Sequence, residues 1–128
     1  MKTHDLTLHV GEGKHLKDGW EHTTSESGTL YRYKYTPTAY VHQEVGDRVT
    51  INIALDSNVL DDYAIESVSF PTDPRSQLFL ADQTPMAATI SNLNQEVQEA
   101  YCVVVVKRGN ERIACDPMIG NDPKGSNA

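Results

Sequence analysis

Residues 99–123 read EAYCVVVVKRGNERIACDPMIGNDP, and the fold class turns on this stretch. It opens with the most apolar run in the chain, Tyr101-Cys102-Val103-Val104-Val105-Val106. Consecutive β-branched valines lose χ1 freedom in a helix and pack well on a pleated surface. An apolar run without alternation reads as a strand buried on both faces. The chain then reverses at Arg108-Gly109-Asn110-Glu111 and returns through Arg112-Ile113-Ala114-Cys115. Gly109 supplies the positive φ of a tight turn, and Asn110 tolerates it. The stretch predicts a central β-hairpin that holds both cysteines of the chain.

A two-residue turn at Gly109-Asn110 sets the register. Arg108 then faces Glu111, and Val104 faces Cys115. Cys102 falls two positions off Cys115, on the face shared with Val104, Val106 and Ile113. A disulfide needs Cα atoms roughly 4.4–6.8 Å apart, closer than most diagonal neighbours. The expectation is two buried free thiols that pack the core. No cationic residue adjoins either one in sequence, so neither reads as a nucleophile.

Period-two alternation marks strands on both sides of the turn signals. Leu6, Leu8 and Val10 share one face, as do Val49, Ile51 and Ile53 after the Gly46-Asp47 turn. Thr29–Tyr35 alternates until Pro37 interrupts it, and Ala39–Gln43 makes a short strand beyond. Ala64–Phe70, Gln77–Leu80 and Ala88–Leu93 complete the set. Residues 12–28 read as an irregular loop carrying the only tryptophan, Trp20. Asp56–Tyr63 reads as one helical turn capped by Ser57 or Asn58, and Asn94–Glu99 as a connection with room for a brief helix. The sum is an all-β, immunoglobulin-like or Greek-key β-sandwich of about eight or nine short strands, with at most one or two short helices. Residues 1–123 form its single domain and residues 124–128 a fraying tail.

Composition narrows the function classes. Eleven Lys and Arg stand against eighteen Asp and Glu, a formal charge of −7, which repels phosphate backbones and argues against nucleic-acid binding. No apolar stretch nears the roughly 20 residues that span a bilayer, and the first residues lack a signal-peptide apolar block. A cytoplasmic protein is expected.

The tyrosines are the most suggestive surface candidates. Tyr31, Tyr33 and Tyr35 share one face of a strand and, with Tyr40, form a platform for peptides, sugars or a second subunit. The same alternation suits a wall of the core with Arg32 and Lys34 outside, and those charges favour that assignment. Asp56, Asp61 and Asp62 cluster in one loop as candidate oxygen ligands for Ca²⁺, although the spacing is not that of an EF-hand. All five histidines, His4, His9, His15, His22 and His42, precede residue 43. A type 1 copper site fails because no histidine follows Cys115-Asp116-Pro117-Met118. There is no Gly-x-Ser-x-Gly elbow and no phosphate-binding glycine loop.

The segment Cys115-Asp116-Pro117-Met118-Ile119-Gly120-Asn121-Asp122-Pro123 resembles the DP-EP family of small bacterial proteins, with Asp122-Pro123 in place of the second, Glu-Pro dipeptide. The resemblance implies a mostly β fold with a single helix and carries no catalytic residue. Together these readings predict a non-enzymatic binding or self-assembling module with a protein partner or a second copy. The alternatives are a Ca²⁺-binding module and a small enzyme whose loop carboxylates converge in space.

Overall fold

A computed structural model describes residues 2–15 and 19–125. Among them are twelve strands: β1 (Lys2–Glu12), β2 (Glu21–Thr24), β3 (Leu30–Thr36), β4 (Tyr40–Glu44), β5 (Val49–Leu55), β6 (Ala64–Ser69), β7 (Leu78–Gln83), β8 (Ala87–Asn92), β9 (Gln98–Tyr101), β10 (Val103–Arg108), β11 (Glu111–Cys115) and β12 (Met118–Asp122). A single 3-10 turn lies at Ser57–Val59. The protein is all-β and sandwich-like. One layer is a six-stranded sheet of order β2-β3-β1-β5-β8-β7, and two three-stranded sheets, β11-β10-β6 and β4-β12-β9, complete the fold. Two pairs are parallel, β1 with β5 and β12 with β4. Buried side chains from all three sheets join one cluster, including Leu8, Ile51, Ile90, Val41, Val104, Ile113 and Ile119.

The hairpin forms in the expected register, with Arg108 opposite Glu111 and Val104 opposite Cys115. The apolar run is not one strand, however. It breaks at Cys102, where the chain passes from the β4-β12-β9 sheet into the β11-β10-β6 sheet. The returning strand breaks alongside it at Asp116-Pro117. Register is kept across the break, since Met118 still faces Tyr101. Pro117 has no N–H to give the ladder, and its carbonyl accepts the Cys102 N–H at 3.0 Å. One long hairpin, Gln98 to Asp122, therefore supplies the central strands of both small sheets.

Twelve strands replace the expected eight or nine because three have little apolar signal. β2 is Glu-His-Thr-Thr on an edge, β9 is an edge strand, and β12 carries Gly120, Asn121 and Asp122. Gly, Asn and Asp are all poor strand formers. The turn after β5 is capped by Asp56, whose carboxylate accepts the Asn58 N–H at 3.1 Å, and not by Ser57 or Asn58. The 94–99 connection holds no helix and runs into β9. Part of the expected loop at 12–28 is β2, while residues 16–18 lie outside the described residues, as do 126–128 of the tail. Gly125 of that tail donates its N–H to Glu44.

Candidate functional site

The tyrosine strand is a seam inside the protein. Tyr31 and Tyr35 are 0% and 4% exposed, and Tyr33 is partly buried against the same cluster. Of the two sequence readings, the core wall favoured by Arg32 and Lys34 is the one that forms, and the platform of Tyr31, Tyr33 and Tyr35 is corrected. Their side chains point inward because Arg32 and Lys34 take the outer face of β3. Their hydroxyls reach across to β11 and the residue after it. Tyr31 donates to the Glu111 carboxylate. Tyr35 donates to the Cys115 carbonyl at 2.8 Å. Burial raises the pKa of all three, that of Tyr33 to about 12.

Glu111 is the focus of that seam. It accepts from the Ser27 and Tyr31 hydroxyls and from Ser25 at 2.9 Å. These donors, Ser27 foremost, hold its carboxyl down at about 2. A carboxylate so fully claimed has no proton to give near neutrality. It pins the 25–31 segment to the hairpin turn.

The three loop aspartates do not form a metal site. Asp56 caps the 3-10 turn and meets His9 at 3.0 Å, and the Asn58 N–H followed by His9 lowers its pKa. Asp61 and Asp62 are exposed. Among the described residues, no three His, Cys, Asp or Glu side chains converge on a point that holds a metal ion. Asp56 is directed at a backbone N–H and an imidazole, and the other two face solvent. Two further carboxylates, Asp73 and Glu66, are engaged locally. Asp73 accepts the Gln77 and Leu78 N–H groups, and Glu66 accepts Arg112 at 2.8 Å. Both cysteines are free and buried. Burial pushes the Cys102 thiol up to about 12 and raises Cys115 as well, so neither is a thiolate near neutrality.

Tyr40 is different. It is 38% exposed and stands on the outer face of the β4-β12-β9 sheet. Both Tyr40 and Tyr101 pair with Met118, one from each side, so the three make a row across the sheet. Tyr101 is 50% exposed. The next row is His42, Gly120 and Glu99. His42 stacks on Tyr40, ring centroids 4.9 Å apart, and its Nδ1 lies 2.9 Å from an Asp122 carboxylate oxygen. Gly120 leaves room for the Tyr40 ring: a Cβ there would lie 2.7 Å from the Tyr40 hydroxyl, and the ring would have to shift. The tyrosine ring therefore folds over a strand position that offers no side chain. Its pKa is raised, first by desolvation and then by the Glu99 and Asp122 carboxylates.

Tyr101 and Met118 escape a sequence reading, because Tyr101 adjoins the valine run and looks like part of its core. The available signal is phase. Cys102, Val104 and Val106 point inward, so Tyr101 on the alternate phase points out. A basic, aromatic group occupies the other layer. On the outer face of β3 the Lys34 ammonium lies 4.9 Å, and the Arg32 guanidinium 5.3 Å, from the Trp20 ring centroid, and His15 stacks on that ring at 5.1 Å. No helix among the described residues is long and apolar enough to cross a membrane. No protein-family model matches the chain, and no curated protein matches it in sequence.

Proposed function

We propose that this chain is a binding module and not an enzyme, and that it binds through the outer face of the β4-β12-β9 sheet. The observation that carries the reading is the outward row Tyr40–Met118–Tyr101, with both tyrosines exposed and Met118 half-buried between them, beside Glu99, Glu44 and Asp122. Tyrosine gives large, rigid contact area with a polar tip at low entropic cost. Methionine adapts to irregular partners. The carboxylates select against anionic partners and favour a cationic one, which the aromatic faces also attract. The partner class is a lysine- or arginine-rich protein segment. The same reading keeps the cytoplasm as the compartment and the resemblance to the bacterial DP-EP proteins, on the strength of Asp116-Pro117 and Asp122-Pro123.

The test is binding of synthetic peptides, one arginine- and lysine-rich and one aspartate-rich of equal length, to the immobilised protein. The basic peptide should bind, and Tyr101→Ala should weaken it by about tenfold, the equivalent of one good aromatic contact. Equal retention of both peptides, or an unchanged affinity in folded Tyr101→Ala, defeats the proposal.

Self-association is a second reading with its own support. The Trp20–Arg32–Lys34 group lies on the layer opposite the acidic tyrosine face, so one copy offers what another's face attracts. A head-to-tail contact of this kind is heterologous. Native mass spectrometry should then show oligomers that Glu99→Lys abolishes. Only monomer at every concentration rules this reading out.

A further inference from the structure

His9, Thr36 and Asp56 meet on the outer face of the six-stranded sheet, where β3, β1 and β5 are neighbours. His9 belongs to β1 and Thr36 ends β3, while Asp56 follows directly on β5. His9 and Thr36 point outward because Leu6, Leu8, Val10, Tyr31 and Tyr35 take the inward phase of the same strands. The His9 ring lies between its two partners. Its Nδ1 is 3.0 Å from Asp56 Oδ2, and its Nε2 is 3.0 Å from Thr36 Oγ1. The partners are 47 and 27 residues away in sequence, so the fold and not the local chain assembles the group.

The polarity of this relay is fixed from one end. Asp56 accepts the Asn58 N–H at Oδ1, and that contact followed by His9 holds its pKa below the ordinary carboxylate value. An ionised carboxylate only accepts, so His9 carries its proton on Nδ1. In the neutral ring Nε2 is then a bare acceptor, and the Thr36 hydroxyl donates to it. A hydroxyl on one imidazole nitrogen, with the other nitrogen held by a carboxylate, is the arrangement that prepares an oxygen nucleophile. Bracing the sheet is a minor effect of these bonds. The His9 and Asp56 side chains are 24% and 23% exposed, so water is an alternative partner and the stability gained is small. What the bonds fix is the tautomer and direction of the ring. Lys34 stands opposite His9 and two residues before Thr36 on the same face. It gives the site the positive charge that a carbonyl oxygen needs as it becomes an oxyanion.

We infer that Thr36 is an acylation site that takes a small acyl group from a thioester donor, with His9 as general base and Asp56 as its positioning residue. The Thr36 oxygen attacks the thioester carbonyl while its proton passes to His9 Nε2. The carbon–sulfur bond then breaks, the thiol leaves with that proton, and the acyl group remains as an ester on Thr36. An alkyl ester is less activated than the thioester it came from. The event is therefore one modification per chain and not turnover. The site lies on the layer opposite the tyrosine row, so binding there and acylation here stand or fall separately.

The experiment incubates the whole protein with the acetyl thioester of N-acetylcysteamine at neutral pH and maps the acetyl groups by peptide mass spectrometry. Alkaline hydroxylamine removes oxygen esters and spares the amides that form on lysines. Thr36 should gain a hydroxylamine-sensitive acetyl group about a hundredfold faster than Thr38, an exposed hydroxyl two residues away. His9→Gln, checked for folding by circular dichroism, should slow Thr36 by about a hundredfold. Asp56→Asn should slow it by about tenfold or more and move the His9 ring proton off Nδ1, read from the ring nitrogen chemical shifts. Thr36→Val should lose the ester altogether. Equal labelling of Thr36 and Thr38 in the wild type overturns the inference without recourse to any variant. So does an unchanged Thr36 rate in folded His9→Gln, or a wild-type His9 ring that carries its proton on Nε2.

Discussion

The two small sheets are halves of one hairpin, yet they are held against the rest of the protein by different physics. In β11-β10-β6 the inward positions are Val104, Val106, Ile113, Cys115 and Ile65, all buried and apolar. In β4-β12-β9 the inward positions alternate between apolar and amide: Val41 with Gln43, and Ile119 with Asn121. Asn121 Oδ1 accepts from Gln43 at 2.9 Å and from Asn92 at 2.7 Å. Its Nδ2 donates to Asn92 Oδ1 and the Glu96 carbonyl, each at 3.2 Å. Gln43 also donates to the Gly120 carbonyl at 2.8 Å, and its Oε1 lies 3.1 Å from His4 Nε2. The apolar half is held by burial, which is indifferent to direction. The amide half is held by directional bonds that tie β4, β12 and β8 together and tolerate no substitute geometry. The exposed tyrosine row lies on the directional half.

The largest expected effect separates the halves by chemistry at constant size. Ile113→Val should cost about 1 kcal/mol, the removal of one buried methylene. Asn121→Asp is as small a change in shape. It removes both donor N–H groups, leaves Asn92 Oδ1 with the Asn94 N–H alone, takes the Asn121 donor from the Glu96 carbonyl, and buries a charge. The expected loss is about 3 kcal/mol, from roughly 1–3 kcal/mol per unsatisfied group. Urea melts of the two variants at neutral pH make the comparison. If Asn121→Asp is as mild as Ile113→Val, the amide half is not held directionally and the contrast fails.

This contrast also explains what was legible in the sequence. The β10–β11 register, the outer strands with strict alternation and the inward phase of Tyr31 and Tyr35 rest on apolar periodicity, which one chain displays openly. β12 was not legible, because its inward residues include Asn121 and its centre is Gly120. An asparagine in sequence looks the same whether it faces water or two buried amide side chains. The break at Cys102 is hidden by the unbroken apolar run around it. Tyr40 was readable as a surface candidate because Tyr40, His42 and Glu44 alternate with Val41 and Gln43. Its partner Tyr101 becomes visible only once β9 is placed on the far side of Met118.

A middle-sized effect tests the other end of the hairpin. The Glu111 carboxyl is depressed from 4.5 to about 2, chiefly by the Ser27 and Tyr31 hydroxyls. A depressed carboxyl contributes stability above its unfolded pKa, and the contribution is lost as pH falls toward the folded value. The wild type should therefore lose stability between pH 4.5 and about 2 through this group. Glu111→Gln should flatten that part of the profile while lowering stability at pH 7. Thermal melts across this window decide it. A Glu111→Gln profile parallel to the wild type would show that the hydroxyl cluster is not the anchor of the 25–31 segment.

The smallest effect concerns the buried bond by which Tyr35 grips the apolar half directionally. The Tyr35 hydroxyl donates to the Cys115 carbonyl at 2.8 Å in a fully buried setting. Tyr35→Phe keeps the ring, its burial and the packing against the cluster, so only the hydrogen bond is removed. The carbonyl left behind has no solvent to turn to, and the expected cost is about 1 kcal/mol. Cys115 sits opposite Val104, at the strand end next to the Asp116-Pro117 break, where the ladder is already one N–H short. Loosening that point should be felt locally before it is felt globally. Hydrogen exchange at Val104 and Cys115 should accelerate by more than the change in global stability accounts for, while Asn92 and Asn121 should follow the global value alone. Uniform acceleration across both halves would mean that the hairpin opens as one unit, and the division into a burial-held half and a bond-held half would then describe packing without describing dynamics.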